Sequence, residues 1–310
     1  MYQAHFGLRE LPFNLTPDTS FFFASSSYQE ALNTLLIAVS NGEGFLKITG
    51  EVGNGKTLLC RKFLASLNSG AAPQIASDDA DEIDGMVYFN ARGKHFVTAY
   101  IPNPFLDPRS LLIALAEKFG VALDKDVDQH HLMRALTRSL LDFARQGKRV
   151  VVCLDEAQAM PVESLEALRL LTNLETEKRK LMQVVLFGQP ELDQKLRQQS
   201  VRQLKQRITF DYRLGGLRRD EVDHYLAHRL KIAGHGSGQL FSKGAVRALH
   251  RVSGGTPRLI NILAHKALLL AYGEGKHQLM ARHVQAAAAD TPAAKRRLQM
   301  WRWLDWALPQ

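Results

Sequence analysis

Gly50-Glu51-Val52-Gly53-Asn54-Gly55-Lys56-Thr57 sets glycines, a lysine and a threonine at the spacing Gly-x-x-x-x-Gly-Lys-Thr. Residues of these types at this spacing can hold phosphate. Gly53 and Gly55 let the backbone curl so that its N–H groups point inward at phosphate oxygens. Lys56 can reach the β- and γ-phosphates, and the Thr57 hydroxyl can bind Mg2+. Leu58 continues into a helix whose N-terminal dipole adds to the attraction for an anion. The flanks argue against an ordinary glycine turn. "FLKITG" (45–50) is a short apolar run that reads as a buried strand, and "KTLLCRKFLASL" (56–67) reads as a helix. Strand, glycine-rich turn and helix follow in the order a phosphate loop requires.

A second constellation complements the first. "RVVVCLDEAQ" (149–158) is an apolar run that ends in Asp155 and Glu156. An acid closing a strand beside a phosphate loop is placed to organise Mg2+. The next acid, Glu156, can orient and polarise an attacking water; the alternative is that the two acids cap the following helix. Acid after acid favours hydrolysis of ATP by water over transfer to a small-molecule acceptor. The Asn-Lys-x-Asp signature of guanine recognition is absent from the sequence. Gln189 follows the strand "LMQVVLFGQ" (181–189), where it could sense the γ-phosphate. Arg258 lies in "SGGTPRLINIL" (253–263), at the start of a helix behind a Gly-Gly hinge, from which it could reach phosphates. Either could instead be structural. Arg207 closes the helix of "VRQLKQRITF" (201–210) and could project into a neighbouring subunit's site, with Arg202 as the rival candidate.

The elements that must position these residues alternate. Helical spacing appears over 26–44, 56–67, 107–121, 130–147 and in "VESLEALRLLTNLETEK", while strands are expected at 45–50, 95–101, 149–154, 181–189 and after Arg207. That alternation predicts a doubly wound parallel α/β sheet over 1–215. Residues 68–95 form an acidic insertion, read as an exposed excursion with a hairpin arm around Arg92-Gly93. From Gly216 the strand signals stop, and three or four helices are expected, predicting a small all-helical lid over 216–290. A basic tail, 291–310, holds all three tryptophans.

Composition bounds the class. Apolar residues make up 45% of the 310 and charged residues 23%, enough to bury a core without staples. Cys60 and Cys153 sit in apolar runs and read as reduced core thiols. No stretch approaches the ~18 apolar residues that span a bilayer, and the N-terminus lacks a signal-peptide pattern. A cytoplasmic location follows as the expectation, with any inner-membrane link made through partners. The formal charge of +9 is concentrated: residues 201–310 hold 19 Lys/Arg against 7 Asp/Glu. A basic face suits nucleic acid, an acidic lipid surface, or only solvent.

Taken in order, "FGLRELPFNLTPDTSFFF", "EAL", "GEVGNGKT", "LDEAQ", "LFGQPEL", "QRITF" and "SGGTPRLIN" resemble the AAA+ ATPases of the general secretion pathway protein A (ExeA) type, over about residues 1–290. The resemblance implies a P-loop NTPase fold with ATP and Mg2+ as ligands. It places Pro12-Phe13 and Thr16-Pro17 near the adenine, and takes Gln189, Arg207 and Arg258 as sensor 1, arginine finger and sensor 2. It implies a homo-oligomeric ring, a hexamer, and partners in a pilus or secretion machine; the Trp- and Arg-rich 291–310 tail reads as folding back onto the lid, docking a protein partner or lying on a membrane surface. A layout without a transmembrane helix or peptidoglycan-binding region is similar to the branch serving mannose-sensitive haemagglutinin (MSHA) pilus biogenesis. The competing expectation is a DNA-associated AAA+ regulator of the transposition or replication-initiator kind, because the two branches share the ATPase motifs.

Overall fold

The computed structural model describes residues 2–15, 19–68, 96–122, 128–176, 179–236 and 238–294. Thr16-Pro17, the acidic insertion from residue 69 with its hairpin arm, and the tail from residue 295 lie outside the described residues. Two compact units are present. One comprises Tyr28–Glu51 and Lys56–Leu214; the other takes Val52–Gly55 with the described residues up to Ser27 and from Gly215.

The first unit is built on five parallel strands: β1 (Phe45–Gly50), β2 (Phe96–Ile101), β3 (Arg149–Leu154), β6 (Met182–Gly188) and β7 (Ile208–Leu214), in the order β2-β3-β6-β1-β7. β1 and β6 are buried along their whole length, and β3 from Val150 onward. Their predominance of Val, Leu, Ile and Phe is what a strand covered on both faces needs. Edge strand β7 instead alternates half-buried with exposed residues. Around the sheet run α1 (Ser26–Asn41), α2 (Lys56–Asn68), α3 (Pro108–Lys118), α4 (Gln129–Arg145), α5 (Val162–Leu171), α6 (Glu191–Leu196) and α7 (Arg202–Arg207). α3 and α4 start where Asp107 and Asp128 accept backbone N–H bonds as N-caps, so polar punctuation fixes their first turns.

Two polar side chains enter this apolar core with partners. Gln183 of β6 donates to the carbonyls of Val39 and Glu43 at 3.1 and 2.8 Å. Lys47 of β1, 5% exposed, pairs with Asp193 of α6 and with Asp211 of β7, the latter at 2.8 Å. A buried ammonium is tolerable only when paired in this way.

One element departs from the periodicity. The helix expected through residue 178 stops at Leu171, with Thr172 donating its N–H back to Leu168, and the chain turns into a short antiparallel pair, β4 (Glu175–Thr176) and β5 (Arg179–Lys180). Leu174, beyond the helix end, still packs half-buried against the core of the sheet unit, and its carbonyl accepts the Leu181 N–H at 3.0 Å, so the turn rather than a further helical turn brings it there.

The second unit is helical: α8 (Arg219–Ile232), α9 (Lys243–Ser253), α10 (Pro257–Gly273) and α11 (Ala281–Ala289). Its core also takes in Tyr2, Phe6, Leu8, Phe13 and Phe21 from the N-terminal segment. Buried Arg229 anchors that segment, donating from Nε to the Pro12 carbonyl at 2.5 Å while its guanidinium lies 4.7 Å over the Phe21 ring. Between α9 and α10, Gly255 has φ +75° and its carbonyl accepts the Leu217 N–H at 2.8 Å; a Cβ there would collide with Leu217 backbone. No helix among the described residues is long and apolar enough to cross a membrane.

Candidate nucleotide site

Because every pairing in the sheet is parallel, the C-terminal ends of β1, β3 and β6 open on the same edge. β6 lies between β1 and β3, so the residue after β6 falls between whatever follows the other two. This is the crevice in which open α/β sheets bind ligands.

β1 delivers Gly50 and Glu51, and α2 begins at Lys56. The Lys56 ammonium, 5% exposed, donates to the Gly50 carbonyl at 2.8 Å and the Glu51 carbonyl at 3.1 Å. Burial holds its pKa below the usual lysine value despite the nearby Glu156, Asp155, Glu51 and Glu191 carboxylates. Between them, Gly53 and Gly55 take φ of +86° and +88°, a region that favours glycine. In the helical unit, the backbone N–H of Arg258 donates to the Gly53 carbonyl at 3.3 Å. A Cβ on Gly53 would lie only 2.5 Å from the Cβ of Arg258.

β3 delivers the acids. Asp155 Oδ2 accepts from the Thr57 hydroxyl at 2.6 Å and from the Tyr100 hydroxyl at 3.3 Å, while Oδ1 accepts the Glu156 N–H at 3.0 Å. Burial pushes the Asp155 carboxyl above its ordinary range despite these donors, and beside it the Tyr100 phenol is pushed up to about 12, chiefly by burial. A carboxylate and a hydroxyl oxygen 2.6 Å apart are a hard donor set, which fits Mg2+ or another oxygen-seeking cation.

Glu156 has φ 54° and ψ 38°, the left-handed region. Among the described residues it alone combines a side chain with positive φ. Such a conformation costs about 1 kcal/mol or more and persists only where the surroundings impose it. Here they do: Gln158 Nε2 donates to Glu156 Oε2 at 2.5 Å, and Gln189 Nε2 donates to the same oxygen at 3.0 Å. Burial alone would raise the Glu156 pKa; the two amides and the Lys56 charge outweigh it and hold the carboxyl below its usual value, ionised at neutral pH.

The structure thus brings together Lys56, Thr57, Asp155, Glu156 and Gln189. Leu58 is half-buried in the first turn of α2. Arg207 ends α7, its guanidinium bonded to the Asn173 side-chain oxygen, and Arg202 is exposed at the start of the same helix. Three contributors were not legible beforehand. Tyr100 reads as one strand residue among several. Gln158 belongs to "LDEAQ" but has no distinguishing spacing. Lys195, whose ammonium bonds the Gln158 carbonyl at 2.6 Å, looks like a surface lysine of α6.

A family model described as an AAA domain matches residues 39–196, spanning the phosphate loop, both acids and Gln189. The chain belongs to the AAA family. It is also 41% identical over 288 residues to General secretion pathway protein A of Aeromonas hydrophila, an alignment covering 93% of this chain and 48% of that protein. The chain therefore spans about half the length of that relative. Among solved structures, the Aeropyrum pernix ORC2 protein in its ADPNP–ADP complexes is similar at a TM-score of 0.58 and 18% identity, over 91% of this chain and 72% of that one. Drosophila ORC bound to DNA gives a TM-score of 0.61 at 16% identity, over 93% and 65%. CDC6P of Pyrobaculum aerophilum gives 0.60 at 16%, over 90% and 70%. At these identities the likeness is one of fold, that of a P-loop AAA protein.

Proposed function

We propose that this AAA protein, related to General secretion pathway protein A, binds ATP with Mg2+ and hydrolyses it as a ring oligomer. The turnover supports assembly or operation of a type IV-like pilus, of the MSHA kind served by the MshM ATPase, or of a type II-like secretion system. The observation that carries the reading is the convergence of Thr57 on Asp155 at 2.6 Å beside an ionised Glu156. A nucleotide switch without turnover has no need of that second acid.

The roles follow from chemistry. The loop amides from Gly50 to Leu58, with Glu51, Val52, Gly53, Asn54 and Gly55 between, wrap the phosphates, and Lys56 balances their charge. Its carbonyl contacts are ones a phosphate oxygen can replace. Thr57 and Asp155 hold Mg2+. Bound nucleotide and Mg2+ supply the phosphoryl group and the charge that neutralises it. Glu156 orients the attacking water, and Gln189 stands beside it to register the γ-phosphate. Arg258, joined through its N–H to the phosphate loop, is the second sensor. Arg207, or Arg202, enters the next subunit's site, so hydrolysis depends on assembly. Oligomerisation, a hexameric ring and a cytoplasmic location, peripheral to the inner membrane through partners, complete the proposal.

A second reading has its own observation. The basic C-terminal third, with a fold shared with an ORC bound to DNA, favours a DNA-associated AAA+ regulator. One experiment separates the two. The Glu156→Gln protein, able to bind ATP but slow to hydrolyse it, is followed by light scattering with ATP and Mg2+, with and without duplex DNA. Assembly on ATP alone, indifferent to DNA, supports the pilus or secretion motor; assembly only on DNA, fading with salt, supports the regulator.

A further inference from the structure

We propose that Gln158 is a positioning residue of the hydrolytic step, clamping Glu156 so that a chosen carboxylate oxygen faces the water and tying that carboxylate to the strand end that carries Gln189. The inference rests on the ATPase reading above and adds to it a residue that the motifs do not identify.

Gln158 uses both ends of its amide. Nε2 donates to Glu156 Oε2 at 2.5 Å, and Oε1 accepts the backbone N–H of Gln189 at 2.9 Å. These partners settle the orientation of the amide. Turned over, its oxygen would face a carboxylate oxygen and its NH2 would face an N–H, two repulsions in place of two bonds. The backbone of Gln158 is held as well, its carbonyl accepting from Lys195 of α6 at 2.6 Å, while the same ammonium bonds the Met160 carbonyl. Gln158 therefore cannot drift without breaking contacts to α6.

The consequence falls on Glu156. Gln158 and Gln189 both donate to Oε2, so among the described residues neither amide engages Oε1. The carboxylate presents Oε1 for a water, and its rotation is blocked by two donors arriving from different elements. The left-handed backbone of Glu156 aims the side chain, and the Gln158 bond holds that aim. A charge-assisted bond of this kind is stronger than a neutral one. The link also runs outward. Gln158 joins the end of β3 to the main chain at the end of β6, and α6 starts two residues later. The same α6 carries Asp193, paired with Lys47 of β1. A displacement of Gln189 on loss of the γ-phosphate would reach the Glu156 carboxylate through Gln158 as well as through its own side chain.

The test compares wild type, Gln158→Met, Gln158→Asn, Glu156→Gln and the Gln158→Met/Glu156→Gln double variant in full-length protein. ATP turnover and the affinity for a fluorescent ATP analogue are measured for each, with thermal melting to verify folding. Methionine keeps the length of glutamine without its donor, and asparagine keeps the amide one methylene short. Both single variants at Gln158 are expected to lose about ten- to a hundredfold in kcat with unchanged nucleotide affinity. In the Glu156→Gln background, Gln158→Met should cost nothing further, because the carboxylate it positions is already gone. Wild-type turnover in Gln158→Met, or a full additional loss in the double variant, would overturn the positioning role and leave the ATPase reading intact. Absence of turnover in the wild type under assembling conditions would overturn both.

Discussion

Asp155 carries its negative charge at a position where folding disfavours it. Burial raises its pKa, so the folded protein binds the proton more tightly than the unfolded chain does. Below the unfolded pKa of about 4 the group is protonated in both states and costs nothing. As pH rises from the unfolded pKa through the folded pKa the penalty of the buried carboxylate sets in, and above the folded pKa it is fully present. Asp155→Asn is therefore expected to raise the melting temperature of the nucleotide-free protein at neutral pH by about 2 °C or more, with the gain shrinking as pH approaches 4. The Thr57 hydroxyl can turn to accept from the new amide. The same variant should lose Mg2+-dependent turnover. Glu156→Gln should behave differently: about 10²-fold or greater loss of turnover with ATP binding retained, read from single-turnover kinetics and analogue binding. A mutant at 156 that hydrolysed normally would leave the protein a nucleotide-gated scaffold.

At the scale of elements, the Gly254-Gly255 link between α9 and α10 has a structural duty before any hinge duty. Gly254 closes α9 in a left-handed conformation, its N–H donating to His250, and Gly255 receives Leu217. Gly255→Ala combines positive φ with a backbone collision, so it should destabilise the helical unit by about 2 kcal/mol or more, measured by chemical denaturation. The periodicity from Ala245 to Ala271 marked α9 and α10 as helices, and the Gly-Gly pair marked their junction. Neither pattern pointed to Leu217, which lies 38 positions earlier and meets Gly255 only after folding. The β4–β5 pair was illegible because helical spacing runs on past Leu171 in the sequence, and only the folded chain pairs Glu175–Thr176 with Arg179–Lys180.

For the whole molecule, the expected behaviour is assembly coupled to turnover. Specific activity should rise with protein concentration, in step with particle mass. Arg207→Ala, or Arg202→Ala if that residue is the finger, should abolish the rise while leaving nucleotide binding intact, since a residue acting in a neighbour's site matters only in the ring. An activity independent of concentration would count against the ring. If the basic C-terminal third instead serves nucleic acid, affinity for duplex DNA should fall steeply between 50 and 200 mM salt, by on the order of 10³ for six or more phosphate contacts. Weak, salt-insensitive retention would return the basic face to solvent.

The chain order of the five parallel strands, the phosphate loop and the two acids were determined by sequence alone, because each is a local pattern. Glycines at fixed offsets, an apolar run ending in carboxylates and a 3.6-residue period need no distant partner to be read. Tertiary structure alone decided which residues meet. It set β6 between β1 and β3 and so brought Gln189 to Glu156; it gave Asp155 both Thr57 and Tyr100; and it made Gln158 a bridge between two strand ends. It also joined the N-terminal segment to the C-terminal helices through Arg229 and Pro12, more than 200 residues apart. Contacts at such separations are fixed by sheet order and by the burial of side chains against distant elements, and one-dimensional spacing carries neither.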